Sequence, residues 1–208
     1  MPHRRPIRVL PLVLAPLLVP VNFPAFLSPP ARAGEARLSL SGGIHSPLGG
    51  DERERFGIAP QFGLGLATEF ADGASMVGLD VGYVHSGGGE RYISTFEFPE
   101  SHYTLVPVTV SVTTRLAPES RESWPRVFVG FFVTVMPTWF TDRNEETFST
   151  PTVGAGLELR PEFHLASDWR AFGRTRLLLV EPVDYQAALD DINYSALSLE
   201  LGVSTGLH

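Results

Sequence analysis

The sequence predicts an all-β protein: an eight-stranded antiparallel up-and-down transmembrane β-barrel that follows a cleaved signal peptide. Three observations predict it. Apolar and polar residues alternate in eight separate stretches, the connections between stretches are alternately long and short, and the polar faces are built from small residues with few charges. Successive side chains on a strand point to opposite faces, so a period of two marks strands and fits no helical template. The clearest stretch is HYTLVPVTVSVTTRL, residues 102–116. Val106, Val108, Val110, Val112 and Leu116 share one face, and Thr109, Ser111, Thr113 and Arg115 the other. It matches the roughly 9–11 residues that a tilted strand needs to cross a bilayer.

The chain has 208 residues, with 19% charged and a formal net charge of −7. All sixteen basic residues are arginine. Four of them (Arg4, Arg5, Arg8, Arg32) precede residue 34, and every acid follows it. An acidic body of this kind offers no basic footprint for nucleic acid. Cysteine is absent, which excludes disulfides and thiolate metal sites. Residues 1–33 read as a secretory signal peptide: Arg4, Arg5 and Arg8, then the apolar run VLPLVLAPLLVPV, then Ala31-Arg32-Ala33 before Gly34. Pro11, Pro16, Pro20 and Pro24 argue against a membrane helix there, because each interior proline costs a helix about 3 kcal/mol. Residues 34–208 form the expected barrel domain.

In chain order, the first strand alternates Ala36, Leu38 and Leu40 with Arg37, Ser39 and Ser41. The second, residues 56–70, sets Phe56, Ile58, Phe62, Leu64, Leu66 and Phe70 against Gln61, Gly63, Gly65, Ala67 and Glu69. Asp72-Gly73 is a strong hairpin signal. The third strand carries Val77, Leu79, Val81 and Tyr83 opposite Gly78, Asp80 and Gly82, and the fourth is the stretch above. The fifth has Val129, Phe131, Val133 and Val135 outward, but its inner face holds Phe128 and Phe132 beside Gly130 and Thr134. The sixth sets Val153, Ala155, Leu157, Leu159 and Phe163 against Gly154, Gly156, Glu158, Arg160 and Glu162. A turn at Ser167-Asp168 leads to the seventh, with Arg174 and Arg176 on its polar face. The eighth has Leu197, Leu199, Leu201 and Val203 opposite Ser198, Glu200, Gly202 and Ser204. The first, third, fifth and seventh links are long and acidic, the pattern of external loops against short periplasmic turns.

A soluble sandwich or barrel would point its apolar face inward and show water a charged one. Here the polar face is full of Gly, Ala, Ser and Thr, which suits a narrow lumen and leaves the apolar face for lipid. The expected inward charges balance: Arg37, Arg115, Arg160, Arg174 and Arg176 against Glu69, Asp80, Glu158, Glu162 and Glu200. Aromatics near strand ends (Phe56, Phe70, Tyr83, Phe163) are placed for an interfacial girdle. Pairing the sixth and seventh strands about their turn sets Glu158 opposite Arg176, with Glu162 diagonal to Arg174 and Glu200 at similar height. The expectation is a lumenal network of Arg174 and Arg176 with Glu158, Glu162 and Glu200, next to Arg160, that plugs the barrel and locks its register.

The stretches LVPVTVSVTTRL, RVFVGFFVTV, PTVGAGLELRP and SLSLELGVSTGLH resemble the small eight-stranded outer-membrane β-barrels of the OmpA-like and opacity-type group, over essentially all of residues 34–208. The resemblance implies a bacterial cell outer-membrane location, contact with outer-membrane lipid and lipopolysaccharide, and help from the barrel assembly machinery during biogenesis. It also implies a terminal aromatic, where this chain has Leu207-His208.

Some barrels of this type act on lipid A, so an enzymatic reading, like a soluble barrel binding a small apolar ligand, stands as the alternative. Its only support is YVHSGGG. His85 and Ser86 are adjacent on a strand and diverge to opposite faces, whereas a hydrolytic serine needs its base within hydrogen-bond reach. His45, His102 and His164 stand singly at strand ends without metal-ligand spacing. Asp142, Glu145 and Glu146 read as solvated loop charge. The expectation is therefore no catalytic residue, no metal and no cofactor: a structural or surface-interaction protein whose external loops carry its function.

Overall fold

The computed structural model describes residues 35–49, 52–53, 56–70, 73–87, 91–93, 96–98, 102–116, 125–141, 147–166, 168–185 and 190–207. The expected signal peptide and the loop acids Asp142, Glu145 and Glu146 lie outside them. Strands form where the alternation recurs: β1 (Ala36–Pro47), β2 (Ala59–Phe70), β3 (Ser75–Gly87), β4 (Arg91–Ile93), β5 (Phe96–Phe98), β6 (His102–Leu105), β7 (Val108–Arg115), β8 (Arg126–Thr141), β9 (Thr147–Ala166), β10 (Trp169–Val180), β11 (Val183–Tyr185), β12 (Asp190–Ile192) and β13 (Ala196–Leu207).

β6 and β7 are two parts of one barrel strand. Pro107 has no N–H to give the ladder, which interrupts the hydrogen bonding between the two parts. The register nevertheless runs through: Leu105 faces Val84 and Thr138, and Val108 faces Val81 and Val135. Gly82 N donates to Pro107 O at 2.8 Å. With that strand counted once, the ring runs β1, β2, β3, β6/β7, β8, β9, β10, β13 and back to β1, every pairing antiparallel. Closure satisfies each edge strand, which a bilayer demands because it offers no water to unpaired N–H and C=O groups. The long connections carry two small hairpins, β4 with β5 and β11 with β12.

The two faces separate cleanly. Outward lie Leu40 (57% exposed), Phe62 (60%), Leu64 (59%), Val153 (62%), Leu157 (61%) and Leu201 (76%). An apolar surface on this scale would drive association in water, whereas hydrocarbon solvates it. The chain is a transmembrane β-barrel. Among the described residues no helix is long and apolar enough to cross a membrane; the strands do the crossing.

Inward, small residues let the ring curl. A Cβ at Gly43, Gly130 or Gly156 would sit 2.0, 2.0 or 1.9 Å from a carbonyl oxygen of the neighbouring strand, so only glycine fits there. Phe132 covers Gly156 and Phe172 covers Gly202, each pair in direct cross-strand register. An aromatic ring thereby fills the room its glycine partner leaves.

One expected girdle residue lies elsewhere. Phe70, Tyr83 and Phe163 are exposed near strand ends as expected, but Phe56 is buried, 4% exposed, inside the barrel mouth. The second strand starts only at Ala59; before it, Glu52, Arg53 and Phe56 have helical backbone, and Gly57 N donates to Arg53 O at 2.9 Å. Gly57 then takes φ of +67°, a left-handed conformation that glycine adopts without strain. That kink breaks the two-residue period and sends Phe56 inward.

Candidate functional site

The lumen has two contrasting halves. At the end of the long connections it is apolar: Phe56, Ala59, Val84, Tyr103, Leu105, Phe132, Met136, Phe140, Leu178, Val180 and Tyr194 form one buried cluster. Phe56 meets Tyr103 edge-on at 4.8 Å and Phe140 at 6.4 Å, and Tyr103 meets Tyr194 at 5.9 Å. Edge-to-face geometry at these distances is the favoured aromatic arrangement. The segment that delivers Phe56 is tied down, since Asn193 N donates to Glu52 Oε1 at 3.0 Å.

Below this cluster the lumen is ionic. Arg174 and Arg176 both point inward from β10. Arg174 donates to Asp80 Oδ1 at 2.7 Å and to Glu200 Oε2 at 2.5 Å. Arg176 donates through Nε to Glu158 Oε2 at 2.6 Å and through Nη2 to Asp80 Oδ2 at 2.7 Å. Ser41 Oγ and Gln61 Nε2 add hydrogen bonds to Glu200 at 2.7 and 3.1 Å. All five charged groups are buried. β3 and β10 stand four strands apart in a ring of eight, so the Asp80 bridges span the full width of the lumen.

Nearer the short turns a second group follows. Glu162 lies 2.9 Å from Arg160 and 3.4 Å from Arg170. Glu69 takes hydrogen bonds from Arg126, at 3.1 Å, and from Arg170. The guanidinium of Arg126 also donates to Gly73 O at 2.9 Å, fastening β8 to the first short turn. The arginines stack on the inward phenylalanines: Arg160 lies 4.1 Å above Phe172, Arg176 5.2 Å above Phe132 and Arg126 5.2 Å above Phe128. This explains the irregular inner face of the fifth expected strand, because each ring offers a guanidinium a cation–π surface.

Of the sequence-predicted residues, the structure joins Arg174 with Glu200 and Arg176 with Glu158. It places Glu162 with Arg160 and Arg170 instead of with Arg174. The register is the expected one, with Glu158 across from Arg176 and Glu162, across from Phe172, diagonal to Arg174. The difference lies in the side chain, because Arg174 turns away from β9 toward Glu200 on β13 and Asp80 on β3. Asp80, Arg126 and Arg170 complete the network beyond the members that the sequence predicts. Asp80 is readable as the one acid on the inner face of its strand; its partners follow only once the third and seventh strands are known to oppose each other.

The YVHSGGG stretch builds no dyad. Ser86 is buried and donates to Phe56 O at 2.6 Å, while His85 is exposed on the outer face with Nδ1 3.0 Å from Thr104 Oγ1. His102 does not stand alone: its ring centre lies 5.9 Å from that of His85. Among the described residues no group of three or more His, Asp or Glu is gathered as for a metal ion.

No protein-family model and no curated protein matches this sequence. Solved structures do. The crystal structure of Neisserial surface protein A matches with a TM-score of 0.55 and 12% identity, over 86% of this chain and 100% of that one. A major outer membrane protein from Thermus thermophilus matches with a TM-score of 0.53 and 13% identity, over 83% and 99%. Ail, the attachment invasion locus protein of Yersinia pestis, in complex with the heparin analogue sucrose octasulfate, gives 0.50 and 13%, over 85% and 100%. At such identities the shared property is the fold, and the fold of this chain is that of the small outer-membrane β-barrels.

Proposed function

We propose that the protein is an integral bacterial outer-membrane scaffold, without enzymatic activity, that presents its acidic connections outside the cell. The observation that carries this reading is the pairing of a lipid-suited outer face with a lumen occupied by its own side chains. An eight-stranded ring is just wide enough for side chains, and here arginine–carboxylate struts and an aromatic cluster fill it. Such a molecule conducts little and holds its ends firmly apart. Function then falls to the surface at the long-connection end, with outer-membrane lipid and lipopolysaccharide around the barrel and the assembly machinery as its partner during biogenesis.

Orientation tests the reading. A cysteine at Arg53 should label on intact cells with an impermeant reagent, and one at Asp168 should label only after the membrane is opened. The reverse pattern would overturn the proposed topology. The mass profile of lipid A should stay unchanged on overexpression, and a loss or gain of an acyl chain would refute the non-enzymatic part.

A further inference from the structure

Outside the lumen, two histidines meet on the outer face of the barrel wall. His85 on β3 and His102 on β6 are diagonal neighbours on the outer face: the register pairs His85 with Thr104 and His102 with Gly87. Both imidazoles are exposed. Their ring centres are 5.9 Å apart with the planes inclined at 54°. Gly87, opposite His102, contributes no side chain, and a Cβ placed there would meet nothing within 4 Å. Tyr83 and Trp139 lie exposed on the same face; Trp139 is directly across from Thr104. The histidines therefore stand at the level of the interfacial aromatics, where water and ions reach them.

We propose that His85 and His102 form an open binding site for a borderline divalent transition-metal ion such as Zn²⁺. Zn–N bonds of about 2.0–2.1 Å set the centres of two imidazoles on one ion roughly 5–6 Å apart, and the observed separation falls in that range. A ligating histidine normally gives its second ring N–H to an acceptor, which fixes the tautomer and aims the free nitrogen. Thr104 Oγ1 lies 3.0 Å from His85 Nδ1 and fits that role: in the tautomer with the hydrogen on Nδ1, Nε2 keeps its lone pair for the metal. The two imidazoles supply half of a tetrahedral set, and water or a donor from outside the chain completes it. The site is thus exchangeable, and it selects imidazole-seeking ions over the oxygen-seeking Mg²⁺. A bound ion would also link β3 to β6 near the end of their ladder.

The test is calorimetric titration of Zn²⁺ into the detergent-purified protein, prepared without a polyhistidine tag. One saturable site is expected for the unaltered protein, with no heat from Mg²⁺. His85→Ala and His102→Ala should each weaken binding tenfold or more, Thr104→Val severalfold, and His164→Ala, an exposed histidine elsewhere, not at all. Gel mobility before and after boiling confirms that each variant is folded. Undiminished binding in the His85→Ala, His102→Ala double variant would overturn the proposal, and so would failure of the unaltered protein to saturate.

Discussion

The two halves of the lumen fill the same kind of space by different physics. The apolar half packs aromatics and methionine, and apart from the edge-on ring pairs its contacts follow volume more than the identity of each side chain. The ionic half holds charges in narrow geometry, where each group depends on its partners. Charge is costly to bury in a low dielectric unless paired, and the protein pairs it across the barrel as well as between neighbouring strands. The comparison teaches which half specifies the fold. A one-residue slip of β10 would turn Arg174 and Arg176 out into lipid and bring Thr175 and Leu177 inside. A comparable slip in a purely apolar lumen would exchange one hydrophobic residue for another.

The largest expected effect breaks the ionic half at its hub. Asp80→Asn keeps the shape but takes a charge-assisted hydrogen bond from each of two buried arginines, leaving Arg174 with Glu200 and Arg176 with Glu158. Each lost bond should cost about 1.5–3 kcal/mol. Urea unfolding of the barrel in lipid vesicles measures it. Next, Leu201→Arg on the outer face should cost about 2–4 kcal/mol if that position lies deep in hydrocarbon. A cost near zero in the same assay would place Leu201 in water. A third measurement isolates one strut: Arg176→Met, Glu158→Gln and the double change form a cycle whose coupling should be about 0.5–3 kcal/mol. Simple additivity would show that the 2.6 Å contact is not formed in the membrane.

The smallest effect belongs to the apolar half. Met136→Leu, at a fully buried position, conserves volume and should cost less than about 1.5 kcal/mol. A cost equal to that of Asp80→Asn would erase the contrast between the halves.

Much of this architecture is legible in the sequence, for physical reasons that differ from residue to residue. Alternation fixes the face of each side chain, so Leu201 outward and Glu200 inward follow from parity alone. Counting from a short turn fixes cross-strand neighbours, which is why Glu158 can be set against Arg176. Parity fails where the chain leaves the strand: Phe56 sits two residues before an outward Ile58, but the left-handed Gly57 between them turns it into the mouth. Counting also fails across long connections. The register of β3 with β6 is set by the strands below, so nothing local brings His102 to His85. Contacts across the lumen, such as Asp80 with Arg174, depend on ring closure and cannot be read from adjacent strands.

The central claim is a closed, hydrogen-bonded barrel built for a membrane. Its most direct test is mobility on a denaturing gel, comparing unboiled with boiled samples of the protein from purified outer membranes. A closed ring resists detergent at room temperature, so the unboiled protein should run faster as a compact band and shift to its full apparent mass on boiling. Identical mobility before and after boiling, with release from membranes by carbonate alone, would contradict the account.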